Sequence, residues 1–331
     1  DPFVDSTLPN VSSALGLGHR RMIKPDLYFP GGREHIRMKA SGNGNLEVAV
    51  GAPQRLYGVR AAAPDPSGQG RLDQLTLTDG TSSATALATR AAHLIFDGLM
   101  DFENGSLLAD IDPSFYAVVV KALLVHGSRW NGNHELLKEV CGPADTRRHV
   151  ERAENATRFL GFGIPDPTRS LECTANRATL VGYGSLNPSN ATSYRVPLPR
   201  CLERVTDPRL LVVTIAWLSP VRTGHQNYRC IRFEAEPLSP PIQVLGVKRQ
   251  KSQPSDPTVK RGSVFHEHFY GNAAVPFIDD GHLALRVWCK EDAGLTNPTS
   301  IPYAIAVSIE SDTPLRVYEE VQERLRIRPR P

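Results

Sequence analysis

The chain has 331 residues, of which 40% are hydrophobic and 22% charged, with a formal net charge of +3. This is room for two domains of about 100–200 residues each, in ordinary soluble proportions. The charge is too small to point to nucleic acid or a membrane surface, and no apolar run approaches the roughly 20 residues of a membrane-spanning helix.

Residues 1–23 are rich in turn formers. Leu27–Phe29 reads as a short strand closed by Pro30-Gly31-Gly32, with Asp26 expected to satisfy backbone groups in a turn. Apolar positions at Ile36, Met38, Leu46, Val48, Val50, Leu56, Tyr57 and Val59 predict short strands. Asp79-Gly80 is a turn, and a helix starts at Thr81, with Leu87, Ala88, Ala91, Leu94, Ile95 and Leu99 at helical spacing. Its small residues suggest burial. Ser82 falls in the first turn, where backbone N–H groups have no internal partner and can hold a developing oxyanion. The plainer alternative is a capping hydroxyl. His93, eleven residues further on, is about 16 Å away along the helix, too far to act as a base for Ser82.

After a loop over 102–113, Asp112-Pro113 opens a helix whose run from Phe115 to Val125 is apolar almost all round and so buried. His126-Gly127 reads as its terminator, Trp130-Asn131-Gly132-Asn133 as a break, and the mixed charges of 145–158 as a solvated helix.

From about residue 176 the pattern changes. Apolar runs at 178–181, 194–198, 210–217, 230–233, 242–245, 264–269, 283–288 and 303–309 predict about eight strands, an antiparallel sandwich. Trp217 reads as core. His266 and His268 share one strand face; that is half a metal site with no third ligand in sight, so cross-strand pairing or exposure is the expected role. The basic stretch from Lys248 to Arg261 reads as a mobile hairpin loop, with docking of an acidic partner as the alternative. Residues 318–324 suggest a short helix before a disordered Arg-Pro tail. Cys141, Cys173, Cys201, Cys230 and Cys289 are odd in number and lack Cys-x-x-Cys spacing, which argues against zinc and for a reducing compartment. Asp1-Pro2-Phe3 shows no signal segment, which says little about the full protein; the unpaired thiols make a cytoplasmic location the expectation. The sequons Asn155-Ala156-Thr157 and Asn190-Ala191-Thr192 carry no weight there.

Gly80-Thr81-Ser82-Ser83-Ala84-Thr85 resembles the Gly-Thr-Ser-x-Ala-(Ser/Thr) signature of subtilisin-like serine proteases, the subtilases. Lys24-Pro25-Asp26-Leu27-Tyr28-Phe29-Pro30-Gly31-Gly32 is similar to the family's Lys-Pro-Asp segment upstream of that serine. Val120–Val125 resembles its next core helix, and Gly161-Phe162-Gly163-Ile164-Pro165-Asp166 the segment after it. The resemblance covers roughly residues 10–175. Ala86 stands where the family has proline, Phe29 replaces a small residue, and residues 34–78 carry an insertion. No Asp-(Ser/Thr)-Gly or His-Gly-Thr precedes Ser82; His126-Gly127-Ser128 mimics the latter but follows the serine.

The resemblance implies an α/β fold: the C-terminal part of a subtilisin-like three-layer catalytic domain over 1–175, then an all-β antiparallel sandwich over 176–331. It implies a serine endopeptidase with Ser82 as nucleophile and oxyanion-hole N–H, and with Gly80 and Thr81 bordering the cleft. The catalytic Asp and His and an oxyanion-hole Asn are expected outside this chain, which alone would be inactive. The implied partners are a polypeptide substrate, the N-terminal part of the protease and, from the β-rich half, an ATPase, with neither nucleic acid nor membrane. No cofactor is required; the family's structural calcium has no assignable ligands here. Two alternatives stay open: a binding or scaffold module with a vestigial serine, and an acyl hydrolase using a rearranged histidine of this chain.

Overall fold

A computed structural model describes residues 8–10, 13–51, 58–100, 111–237, 244–294 and 300–326. The expectations at Leu56, Tyr57, Ile242, residues 102–110 and the Arg-Pro tail lie outside these. The described chain is a mixed α/β structure with several antiparallel sheets, and every strand pairing among the described residues is antiparallel.

The first part holds two hairpins, β1 (Ile36–Ala40) with β2 (Leu46–Val50) and β3 (Val59–Ala62) with β4 (Leu75–Thr78). Short strands thus form as expected at Ile36–Ala40, Leu46–Val50 and from Val59, though β1 is exposed along its whole length, and the long segment before Ser82 lies in small two-stranded sheets. Helix α1 (Thr81–Met100) follows at once. It is not the buried helix its small residues suggest. Only Ser83, Ala91, Ile95 and Leu99 are buried, while Ala86, Leu94 and Met100 are exposed. Alanine is the best helix former wherever it stands, so its abundance speaks for a helix and not for a covered one.

Asp112 accepts from the Ser114 N–H and starts a 3₁₀ turn that leads into α2 (Tyr116–His126). As its almost continuous apolar run requires, α2 is buried at Val118, Val119, Ala122, Leu123, Val125 and His126. Helices α3 (Asn133–Val140), α4 (His149–Leu160) and α5 (Pro167–Leu171) complete this part. The α4 helix buries Ala153, Ala156, Thr157 and Leu160, and the charges within it that predict a solvated helix are half-buried, with Glu154 pairing with Arg21 and Arg261.

Beyond residue 176 lie β5 (Arg177–Leu186), β6 (Ala191–Pro197), β7 (Arg209–Trp217), β8 (Ile231–Pro237), β9 (Lys248–Arg249), β10 (Val264–Gly271), β11 (His282–Glu291) and β12 (Ile301–Ser311). They form a five-stranded sheet in the order β5-β12-β7-β10-β9 and a three-stranded sheet β6-β11-β8. Seven of the eight expected apolar runs became strands. The exception is 242–245, whose described residues, Val244 and Leu245, stand fully buried in a helical turn.

Burial assigns the faces. Strand β11 alternates, burying Leu283, Leu285, Val287 and Cys289, as a strand with one covered face must. Strand β7 is buried at every residue. Its Trp217 meets Phe233 of β8 at 5.4 Å between ring centroids, and Phe233 meets Tyr303 of β12 at 4.9 Å, so one face looks onto the small sheet. The other face carries Thr214, which bonds to His126 of α2. The layers are therefore helices, large sheet and small sheet. One apolar core joins Ile23, Ile95 and Val118 to Val213, Ile215 and Phe233, running across the change of pattern at residue 176.

The stretch 248–261 is not a loose loop. Gln253, Ser255, Thr258 and Val259 are buried, and the Gln253 amide accepts from the His268 N–H at 2.8 Å and donates to the His268 carbonyl at 2.9 Å. The helix foreseen at the C-terminus spans Val317–Arg326.

Candidate functional site

Three of the sequence segments singled out before residue 176 meet in space. Gly80 has φ +116°, a conformation that favours glycine. It turns the chain into α1 and donates its N–H to the Gly31 carbonyl at 2.7 Å. A Cβ on Gly31 would come within 2.9 Å of the Gly80 oxygen, so glycine at 31 lets the two strands of backbone touch. Asn10 Nδ2 holds the Gly32 carbonyl at 3.0 Å. On the other side, the Phe162 N–H donates to the Asp26 carbonyl at 2.8 Å and the Tyr28 N–H to the Gly163 carbonyl at 3.2 Å. Residues 27–29 are thus extended and held by backbone bonds, though not part of a sheet. The Asp26 carboxylate pairs with the Lys24 ammonium instead of capping a turn.

Thr81 and Ser82 occupy the first two positions of α1, so the N-cap position falls to Gly80 and not to Ser82. Both side chains are exposed, and their N–H groups belong to the set that an α-helix leaves without an internal acceptor. Ser82 is reachable from solvent, with two outward N–H groups beside it. Among the described residues its hydroxyl has no hydrogen bond to a histidine or carboxylate. His93 is exposed and lies beside Asp97 at 3.3 Å. A cleft of about 470 Å³ lined by Arg21, Arg148, Glu151, Glu154, Asn155 and Arg158 does not include Ser82.

The histidine motif after the serine has a structural place of its own. His126 is buried between α2 and the large sheet, with Nδ1 at 2.8 Å from Thr214 Oγ1 and Nε2 at 2.6 Å from Ser308 Oγ. Thr214 Oγ1 lies 2.7 Å from His266 Nδ1, and His266 Nε2 lies 2.8 Å from His268 Nε2. Ser308 continues to Thr179 Oγ1 at 2.7 Å. The pair His266 and His268 is therefore not exposed: both rings are buried under α2, and no metal-holding group of side chains occurs among the described residues. Burial pushes all three imidazoles toward the neutral form. His266 falls to about 3, and Arg129 adds to the effect on each of the three.

Sequence reasoning passed over Lys121. It is the one charge in the apolar run of α2, and that interruption was the available signal. Its ammonium donates to the Trp217 carbonyl at 3.2 Å and to Ser263 Oγ at 2.6 Å, and burial lowers it to about 8. All five cysteines carry free thiols.

No protein-family model matches the chain. A curated relative, the uncharacterized protein y4bN of Sinorhizobium fredii (strain NBRC 101917 / NGR234), is 25% identical over 244 residues, covering 68% of this chain and 54% of its own length. The chain thus spans about half the length of the curated relative it matches. Among solved structures, the cyanophage Pam1 capsid asymmetric unit matches 42% of this chain and 89% of its own at 13% identity and a TM-score of 0.24. A chain of the complex of Aeromonas sobria serine protease with its chaperone matches 74% of this chain and 47% of its own at 14% identity and a TM-score of 0.19. Neither score is high enough to bear on the fold.

Proposed function

We propose that this chain is the serine-bearing C-terminal part of a subtilisin-like serine endopeptidase, with a subtilisin-like catalytic fold completed by residues outside it. The observation that carries the reading is Ser82 itself: exposed, in the first turn of a helix, on a glycine turn anchored to Gly31. The convergence of 24–32, 80–85 and 161–166 supports it, because these are the segments that carry the resemblance. In this reading Ser82 Oγ attacks a peptide carbonyl and the Ser82 N–H holds the oxyanion. A histidine and an aspartate from the N-terminal part of the protein remove the proton and orient the base. Half of α1 is uncovered, including Leu94 and Met100, which leaves surface for that part to dock.

A non-catalytic module is the second reading. What favours it is that, among the described residues, the Ser82 hydroxyl has no hydrogen bond to a histidine or carboxylate. Fluorophosphonate labelling read by intact mass separates the two. This chain alone should label at background, since a serine without its base loses several orders of magnitude in reactivity. The protein extended upstream should label, and Ser82→Ala should abolish the label. An extended protein that never labels, or labelling that survives Ser82→Ala, overturns the assignment.

A further inference from the structure

Three arginines converge on one carboxylate at the end of the large sheet. Arg129 Nη2 lies 3.5 Å from Glu310 Oε2, Arg177 Nη1 lies 4.0 Å from Glu310 Oε1, and Arg169 Nη2 bonds to Glu310 Oε2. Four elements bring them together. Arg129 follows α2 and is fixed by a two-bond backbone bridge to Ile164, at 3.2 and 3.1 Å. Gly163, at φ +115°, lets the chain pass there, since a Cβ would sit 2.1 Å from the Arg129 oxygen. Arg169 lies in α5, whose N-terminus is capped by Asp166. Arg177 opens β5 directly across from Glu310 of β12 in the sheet register.

The charges do not balance. Three guanidinium groups against one carboxylate leave a surplus of two positive charges at a half-buried spot. The groups acting on Arg129 are Glu310, which favours its charge, and Arg169 and Arg177, which oppose it along with burial. Arg177 is more than nine-tenths buried, and its Nε has no hydrogen-bond partner among the described residues. Its Nη2 is used by the Glu172 carbonyl at 2.7 Å. Arg129 and Arg169 keep part of their surface open to solvent, with side-chain exposures of 37% and 27%. Glu310 alone cannot use the donors of three planar forks, which offer up to five N–H each.

We propose that Arg129, Arg169 and Arg177 form a binding site for a phosphate dianion, as inorganic phosphate or a phosphate monoester, with Glu310 cancelling one of their three charges. Charge selects the class. A phosphate group carries about −1.5 to −2 near neutrality and cancels the surplus, whereas a carboxylate leaves half of it uncompensated. Arg129 and Arg169 approach the oxyanion from the solvent side and Arg177 from beneath.

The probe is inorganic phosphate, titrated against the thermal midpoint of this chain, with acetate and chloride at matched ionic strength. A saturable rise with phosphate, well above that with either control, is expected. Arg129→Gln should shift the half-saturating phosphate concentration upward by about tenfold or more. Glu310→Gln moves the opposite way: it enlarges the charge surplus and should lower that concentration, although it destabilises the protein without phosphate. A purely structural ion-pair cluster predicts loss of stability in both variants and no opposite shifts. If Arg129→Gln does not fold, Arg169→Gln and Glu310→Gln decide. Equal responses to phosphate, acetate and chloride, an unchanged phosphate response in the arginine variants, or a weakened one in Glu310→Gln overturns the site.

Discussion

Acidification should unfold this protein through His126, His266 and His268. All three rings are buried under α2 and held neutral by burial, with Arg129 reinforcing the effect on each. Their folded pKa values lie below the unfolded value of about 6.5. The stability they support is therefore complete above about pH 6.5 and is lost as pH falls toward the folded values, which for His266 is about 3. Between about pH 7 and about pH 5 each histidine that stays neutral in the fold costs about 2 kcal/mol, because the unfolded chain takes up the proton and the fold does not. Three give about 6 kcal/mol, which rivals the whole stability of an ordinary domain, about 5–15 kcal/mol. Glu267, whose carboxyl is pushed up by burial, works the other way and offsets part of this. The assay is urea denaturation at a series of pH values, read as the slope of unfolding free energy against pH. Each histidine contributes up to about 1.4 kcal/mol per pH unit to that slope. His266→Gln should remove about one proton's worth. A stability that is flat between about pH 7 and about pH 5, or a variant that keeps the full slope, refutes the reasoning.

Ser82→Ala should change stability by less than about 0.5 kcal/mol in urea denaturation, since the side chain is exposed and makes no hydrogen bond that the fold depends on. Trp217→Ala should cost about 3–5 kcal/mol by the same measurement, because the indole is fully buried against Phe233 between the sheets. Gly163→Ala should cost more than about 2 kcal/mol in thermal denaturation, since it combines a positive φ with a Cβ 2.1 Å from the Arg129 oxygen, and backbone cannot yield as a side chain can.

The strands beyond residue 176 were legible because a covered face imposes period 2, as in β11, and because a strand covered on both faces, as β7 is, reads as an unbroken apolar run. Helix α2 was legible for the corresponding helical reason. The exposure of α1 was not, since alanine marks a helix without saying what lies against it. The stretch 248–261 misled because its polar residues point inward: Gln253 serves the backbone of His268, a partner fifteen residues away that no local pattern reveals. Of the candidate site, the helix-start position of Ser82 and its glycine turn were readable. The histidine network and the arginine cluster were not. His126 meets Ser308 across 182 positions and Arg169 meets Glu310 across 141, and only the insertion of β12 between β5 and β7 brings them together.

The two polar clusters act as one electrostatic unit. The chain Thr179, Ser308, His126, Thr214, His266, His268 can be written with neutral His126 and His266 each donating once and accepting once, and His268 at its end doing one or the other, in either of two directions along the whole chain. A single added proton at His266 combines one half of each pattern: the ring then donates to Thr214 on one side and to His268 on the other, and each half of the chain runs away from it. Hydrogen-bond count therefore does not keep the rings neutral. Burial and positive charge do, and among the charges that act on His126 are Arg129, Arg169 and Arg177. An anion held by those arginines removes part of that opposition. It lets the folded protein accept a proton closer to neutrality and so flattens the loss of stability on acidification. By linkage the converse holds equally: a proton taken up under α2 tightens the grip of the arginines on the anion. The surplus charge at the edge of the sheet and the neutral imidazoles behind it are thus two readings of the same field.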